Sequence, residues 1–175
     1  MYRLQTGGRG KVRVQLLGAG TILREVLAAA EILEKDYQVP ADVWSVTSFS
    51  ELRRDGLDCE RWNLLHPDQA PRKGYVERSL AAVSGPFVAA TDYMRIVADQ
   101  IRPWIPGRYA VLGTDGFGRS DTRERLRRFF EVDRFNIAYA AIYALYRKGQ
   151  FGQGELLAAR EKLGLNPDKV NPTRV

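Results

Sequence analysis

The chain has 175 residues, of which 45% are hydrophobic, a size and composition that favour one well-buried core over two. Lysine and arginine total 27 against 21 aspartate and glutamate, for a net charge of +6, and because the two signs are interleaved we expect a mixed solvated surface and no nucleic-acid partner. No apolar run approaches the roughly 20 residues that span a bilayer, and no signal-peptide pattern opens the chain, so we expect a cytoplasmic protein with no membrane partner.

The first part of the chain predicts three strands and a helix. Tyr2–Gln5 is expected to be a short edge strand. Lys11–Leu17 follows as a strand in which apolar and polar residues alternate, so one of its faces is expected to meet polar surroundings. Thr21 then caps a helix with a wide apolar stripe, and Asp42–Val46 is the next strand.

The middle of the chain predicts short helices around one buried strand. Phe49–Leu65 has helical spacing interrupted by Gly56, which predicts two short helices. Tyr75–Val83 predicts another helix, and Phe87–Ala90 is a compact strand of the kind that is buried on both faces. Tyr93–Ile101 has helical spacing up to a pair of nearby prolines.

The most informative stretch begins with a short strand and a glycine-rich turn. Tyr109–Leu112 predicts the strand, and Gly113, Gly116 and Gly118 are expected to supply the positive φ angles of a sharp exit from the sheet. The glycine order lacks the lysine followed by serine or threonine of a phosphate-binding P-loop. We therefore discount both a P-loop and a dinucleotide-binding fingerprint for this stretch.

A helix with several arginines follows this turn. Asp121 is expected to cap it, and Glu124 completes a capping box, so the helix should begin within a residue or two of Asp121. Open α/β sheets usually place ligands where a strand ends beneath such a helix. A tight connection that only packs is the alternative.

The last part of the chain predicts two more helices. Asp133 caps a largely buried helix that runs through Leu145, and Glu155–Leu163 is amphipathic. Tyrosines at 139, 143 and 146 indicate either the edge of the core or a subunit interface. The alternation of strands and helices predicts an α/β protein with a three-layer α/β/α sandwich around a mostly parallel sheet of about five strands, as a single domain over residues 1–175.

The lone cysteine and histidine limit the chemistry. Cys59 has no disulfide partner, suits a reducing compartment and lies between Asp58 and Glu60, which disfavour its thiolate. His66 has no second histidine or cysteine to share a metal and is expected to be structural, near a helix end. We predict no catalytic residue, no cofactor-binding residue and no metal ligand.

Several long stretches match one family in their residues and in their order along the chain: VQLLGAGTILREVLAAAEIL, DVWSVTSFSELRRDGLDCERWNLLHP, ATDYMRIVADQIRPWIPGRYAVLGTDGFGRSDTRERLRRFFEVD and the closing VNP. They resemble the C-terminal domain of the homodimeric pyruvate dehydrogenase first component, the pyruvate-decarboxylating subunit. The resemblance runs from Tyr2 to the end of the chain. It implies a transketolase C-terminal domain-like fold, with a mixed five-stranded sheet whose first strand is antiparallel.

The resemblance also implies a function for the intact enzyme. That enzyme uses thiamine diphosphate and Mg²⁺ to decarboxylate pyruvate and to acetylate a lipoyl group of the dihydrolipoyl transacetylase reductively. Both cofactors are expected to bind in two preceding domains, which this sequence lacks, so the chain alone is expected to be inactive. Its implied partners are the remaining domains of its own subunit, the second subunit of a homodimer, and the transacetylase with its lipoyl domain.

The resemblance implies a structural and dimer-assembly role for this region, and we expect an exposed apolar patch where the other domains dock. The residues expected to contact the rest of the enzyme, or to line the rim of its channel, lie in or just after the glycine-rich turn: Thr114, Asp115, Arg119, Asp121, Arg123 and Arg127. Two alternatives remain open: a free-standing small α/β nucleotide- or ligand-binding protein, and a nucleic-acid-binding protein that uses the arginines.

Overall fold

The computed structural model describes residues 1–174 and has a five-stranded sheet covered by helices on both faces. The strands are β1 (Tyr2–Gln5), β2 (Val14–Gly18), β3 (Ala41–Ser45), β4 (Phe87–Ala90) and β5 (Tyr109–Leu112). The α-helices are α1 (Leu23–Tyr37), α2 (Phe49–Leu65), α3 (Tyr75–Leu80), α4 (Arg95–Asp99), α5 (Arg123–Phe129), α6 (Arg134–Tyr146) and α7 (Gln153–Lys162). Single 3₁₀ turns cover Gly20–Ile22, Arg102–Trp104 and Pro172–Arg174.

The sheet has the order β1-β3-β2-β4-β5. The edge strand β1 runs antiparallel to β3, whereas β2 is parallel to both β3 and β4, and β4 is parallel to β5. The predicted mixed five-stranded sheet with an antiparallel first strand is therefore confirmed. Because the last four strands are parallel, their carboxyl ends meet at one edge of the sheet.

Two apolar cores lie on opposite faces of the sheet, and the alternation along each strand divides its side chains between them. In β2, Leu16 belongs to the core beneath α1, α6 and α7, whereas Leu17 belongs to the core beneath α2, α3 and α4. In β4, Val88 and Ala89 are divided in the same way. The expected three-layer arrangement follows from this division.

The prediction of a polar-facing side for β2 is wrong. Gln15 is completely buried, and its amide donates to Asp42 Oδ2 (3.0 Å) and to the Ser84 carbonyl (2.9 Å). Its own oxygen accepts a hydrogen bond from Trp44 Nε1 (2.7 Å). Since every donor and acceptor of the amide has a partner on a neighbouring segment, the side chain is buried without an unpaired polar group.

The prediction of two helices in Phe49–Leu65 is also wrong, because α2 is continuous. Gly56 lies in its middle, and a Cβ atom there would be 2.4 Å from Cε2 of Trp104. The glycine thus permits a close approach of the indole to the helix backbone, and it does not end the helix. His66 follows the last residue of α2, where it stacks on Trp62, which confirms its predicted place near a helix end.

The helix caps agree with the sequence in one case of three. Asp133 caps α6 as predicted, by accepting from the Asn136 amide. Thr21 lies in a 3₁₀ turn and caps nothing, because α1 starts only at Leu23. Thr122, and not Asp121, caps α5, and the helix begins within the predicted two residues.

The turn after β5 needs its glycines for two different reasons. Of the three, only Gly116 has a positive φ, of 122°. Gly113 allows close packing instead, since a Cβ atom there would lie 2.6 Å from the Arg95 amide nitrogen. The expectation of positive φ at Gly113 and Gly118 is therefore wrong.

Candidate functional site

A cleft of about 710 Å³ opens at the edge of the sheet where the parallel strands end. Gly18 of β2, Ala90 of β4 and Leu112 of β5 are in register with one another, so the loops that follow these strands emerge side by side. The cleft lies between those loops and the first turns of α5. This is the position at which open α/β sheets commonly bind ligands or partners.

The loops after β4 and β5 are joined by hydrogen bonds through Thr114 and Asp115. Thr114 donates from its hydroxyl to the Asp92 carbonyl (2.7 Å) and from its amide to the Tyr93 carbonyl (2.9 Å). Asp115 accepts from the Arg95 amide (3.0 Å) and pairs with the Arg95 guanidinium at 3.2 Å. Both predicted contact residues therefore hold the two loops together, and both side chains are directed within the domain.

Asp92 extends this network to the third loop of the cleft. Its carboxylate accepts a hydrogen bond from the Thr21 hydroxyl at 3.1 Å. Thr21 thus joins the loop after β2 to the loop after β4. Three loops that are distant in sequence are in this way fixed relative to one another around the cleft.

The structure divides the predicted arginines into two groups. Arg119 and Arg123 line the cleft, are exposed, and form no ion pair among residues 1–174. Arg119 stacks over the Phe129 ring, with 4.3 Å between its Cζ and the ring centroid. Arg127 also borders the cleft, but its guanidinium pairs with Glu25 at 2.9 Å.

Asp121, the remaining predicted contact residue, lies just before the N-terminus of α5. Its carboxylate accepts from the Thr122 amide at 2.7 Å and approaches the Arg125 guanidinium at 3.7 Å. Its charge is therefore oriented toward its own loop and helix. Among residues 1–174, the guanidinium groups of Arg119 and Arg123 have no carboxylate partner and border the cleft, where they can meet an anionic group.

The sequence analysis missed Glu25, a buried carboxylate behind the cleft. Besides Arg127, it accepts hydrogen bonds from the Arg134 amide (3.1 Å), from Arg134 Nε (2.9 Å) and from Arg134 Nη2 (3.1 Å). Burial raises the pKa of this carboxyl, but the hydrogen bonds and charge of Arg134, together with the charge of Arg127, outweigh burial and lower the pKa overall. The sequence did contain a signal for a buried carboxylate, because Glu25 lies within the apolar stripe of α1, adjacent to the buried Val26.

The surroundings of Cys59 and His66, the other two titratable residues singled out from the sequence, indicate structural roles. Burial, followed by the charge of Asp55, raises the pKa of the Cys59 thiol, so the thiolate is disfavoured as predicted, although Asp55 contributes more than the flanking Asp58. His66 Nδ1 is 2.8 Å from the Trp62 carbonyl oxygen. Within residues 1–174, no group of three or more His, Cys, Asp or Glu side chains is arranged to hold a metal ion. No helix among those residues is long and apolar enough to cross a membrane.

Comparison with known proteins places this architecture in one family. The family model described as the transketolase-like TK C-terminal domain matches residues 1–133. Among curated proteins, the chain is 53% identical over 177 residues to the pyruvate dehydrogenase E1 component of Cupriavidus necator, covering 100% of this chain and 20% of that protein. The corresponding proteins of Pseudomonas aeruginosa and Escherichia coli K12 are 56% and 51% identical, with 91% and 98% of this chain covered against 18% and 19% of theirs.

Solved structures agree at the level of the fold. A split-gene transketolase, described as an inactive beta4 tetramer, superposes with a TM-score of 0.56 at 19% identity, over 79% of this chain and 40% of that one. Transketolase of Pichia stipitis gives a TM-score of 0.51 at 17% identity, over 83% and 18% of the two chains. The chain spans about a fifth of the length of the curated relatives it matches. The resemblance found in the sequence is confirmed.

Proposed function

The chain belongs to the family of transketolase-like C-terminal domains, and on that premise we propose that it is the C-terminal assembly domain of a pyruvate dehydrogenase E1 subunit. The intact enzyme would decarboxylate pyruvate and acetylate lipoyl groups reductively, with thiamine diphosphate and Mg²⁺ supplying the chemistry. In this proposal the present chain, as a single domain, contributes structure and docking surfaces. A cytoplasmic location is part of the proposal and suits the free Cys59.

The observation that carries the proposal is the extent of the similarity. Identity of 53% extends over the whole of this chain, yet the matched region is only 20% of the relative. A region so similar in sequence has the same fold as its counterpart, and about four-fifths of the relative lies outside the matched region. The same match disfavours a free-standing nucleotide- or ligand-binding protein.

The residues that the structure describes do not form a site for Mg²⁺, and their one buried glutamate is already paired. Within residues 1–174, acidic side chains form no cluster that would hold Mg²⁺. Among residues 1–174, Glu25 is the glutamate that is buried, and both of its oxygens accept hydrogen bonds, from Arg127 and Arg134. No reaction step is therefore assigned to this chain, and we propose that it has no turnover by itself.

The cleft and its loops are the proposed contact with the rest of the enzyme. Arg119 and Arg123 present positive charge there that has no ion-pair partner in the described part of the chain, whereas Thr114 and Asp115 hold the two loops in one arrangement. Proposed partners are the other domains of the same subunit and the second subunit of a homodimer. The transacetylase and its lipoyl domain would bind the assembled enzyme.

Two substitutions test the proposal in a full-length subunit that ends in this sequence. Arg119→Ala removes a charge from the cleft, and Asp115→Ala releases Arg95 and loosens the loops. We expect each to weaken dimer association by about fivefold to thirtyfold, equivalent to about 1–2 kcal/mol, and to lower the rate of lipoyl acetylation with it. Arg53→Ala, an exposed arginine in α2, is the matched control and should change neither.

Dimer association is measured by sedimentation at several protein concentrations, and the rate by pyruvate-dependent acetylation of a lipoyl domain. Unchanged association and activity in both the Arg119→Ala and Asp115→Ala variants would refute the contact. A full-length protein without pyruvate dehydrogenase activity, although folded and supplied with both cofactors, would refute the assignment of the enzyme.

A further inference from the structure

Four large apolar side chains are exposed on the loops after β4 and β5 and on the first turn of α4, which follows the first of these loops. Tyr93, Met94 and Ile96 follow β4 and have exposed fractions of 61%, 59% and 64%, and Phe117 follows β5 with 78%. Isolated exposed apolar residues are ordinary, but four large ones on two adjacent segments that are joined by hydrogen bonds are typical of a protein interaction site. None of the four belongs to either apolar core.

The loops that carry this apolar group are fixed relative to each other. The Thr114 amide bonds to the carbonyl of Tyr93, and Arg95 is held by Asp115 through both its amide and its guanidinium. Gly113 has no side chain at the point where the loops touch. Because little conformational freedom is left for a partner to remove, the loops are preorganised for docking.

Charge at the same edge of the sheet indicates the chemistry of the partner. Arg119 and Arg123 form no ion pair within the described residues, whereas the carboxylates of the cleft and its loops are engaged: Asp92 with Thr21, Asp115 with Arg95, and Asp121 with Arg125. A second copy of the same face would oppose arginine to arginine, which disfavours a self-complementary contact. An apolar segment that carries a carboxylate matches both the apolar group and the free guanidinium groups.

We propose that Tyr93, Met94, Ile96 and Phe117 are the surface by which this chain docks onto the preceding part of its own subunit, with a carboxylate of that part paired to Arg119 or Arg123. The inference rests on the proposed function. The curated relatives are about five times as long as the matched region, so a partner of this kind would lie on the same polypeptide, at high effective concentration.

Photocrosslinking in the full-length subunit tests this surface. A benzophenone amino acid replaces Phe117, and the crosslinked peptides are identified by mass spectrometry after isotopically labelled and unlabelled subunits have been mixed. We expect crosslinks into the preceding part of the same subunit. Crosslinks only to a second subunit, only to the transacetylase, or only within the present 175 residues would overturn the proposal.

Leu64 is the control position for the crosslinker. It is as exposed as Phe117, at 79%, but α2 returns from the carboxyl edge of β3 toward the opposite edge of the sheet before Leu64 is reached. The benzophenone at this position should give no crosslinks to the same peptides. Identical crosslinks from both positions would also overturn the proposal.

A polar double variant provides a second measurement. Ile96→Ser combined with Phe117→Ser should increase hydrogen exchange by about tenfold in the part of the subunit that contacts the loops, since exposed side chains are replaced and the fold itself is unaffected. Unchanged exchange outside this chain would contradict the docking role. If the wild-type subunit lacks pyruvate dehydrogenase activity but gives the expected crosslinks, the proposed function fails while the docking surface stands.

Discussion

Gly56→Ala tests whether the glycine in the middle of α2 exists for packing. The added Cβ would lie 2.4–2.6 Å from ring atoms of Trp104, so the indole must move by roughly 1 Å to reach ordinary contact. Trp104 is only 7% exposed, and its Nε1 donates to Glu60 at 2.9 Å, so the movement has a cost. Overpacking costs about 1–3 kcal/mol and the weakened hydrogen bond about 1, against a gain of about 1 in helix propensity.

The net expectation is a decrease of about 1–3 kcal/mol in the free energy of unfolding. For a chain of this length, that lowers the midpoint of thermal unfolding by about 2–12 °C, measured by circular dichroism on the chain and on its variant. Gly154→Ala is the control, because it is also helical but has no atom within 4 Å of the added Cβ. It should leave stability unchanged or raise it by up to about 1 kcal/mol. A Gly56→Ala variant as stable as the wild type would refute the packing argument.

Two further substitutions probe the buried polar groups, each followed by urea unfolding. Glu25→Gln should lower the free energy of unfolding by about 3 kcal/mol at neutral pH, since it leaves the largely buried Arg127 without its charge partner. Because the folded-state pKa of Glu25 is below its ordinary value of 4.5, this difference should be complete above pH 4.5 and shrink as the pH falls further; a difference independent of pH would contradict it. Gln15→Leu should cost about 2–5 kcal/mol, because the Trp44 indole and an Asp42 oxygen lose their partner, and a variant as stable as the wild type would disprove that account.

The sheet was predictable because each strand is signalled by a short run of consecutive residues. The compact run Phe87–Ala90 and the run Tyr109–Leu112 predicted β4 and β5 with their exact bounds in the structure. The polar residues of β2 misled the prediction, because Gln15 resembles an exposed residue until Asp42, which comes 27 residues later, is placed beside it. Gly56 misled it similarly, since the indole that requires a glycine is 48 residues away in the sequence.

The position of the candidate site was predictable, but the sequence did not show which of its charged residues pair within the chain and which face the cleft. Its location after β5 follows from the strand, turn and helix, and the cleft lies there. That Asp115 would be engaged by Arg95, and Arg127 by Glu25, depends on contacts between segments 20 and 102 residues apart. Arg119 and Arg123 remain predictions as contact residues, because their partner lies outside this chain.

Reconstitution tests the central claim most directly. This chain is mixed with an E1 subunit truncated before the matching region, and pyruvate-dependent acetylation of a lipoyl domain is measured with thiamine diphosphate and Mg²⁺ present. If the chain is an assembly domain, each piece alone is inactive, the two bind each other, and the mixture recovers activity in proportion to the chain added until the sites are saturated. A well-folded chain that neither binds the truncated subunit nor restores any activity would contradict the account.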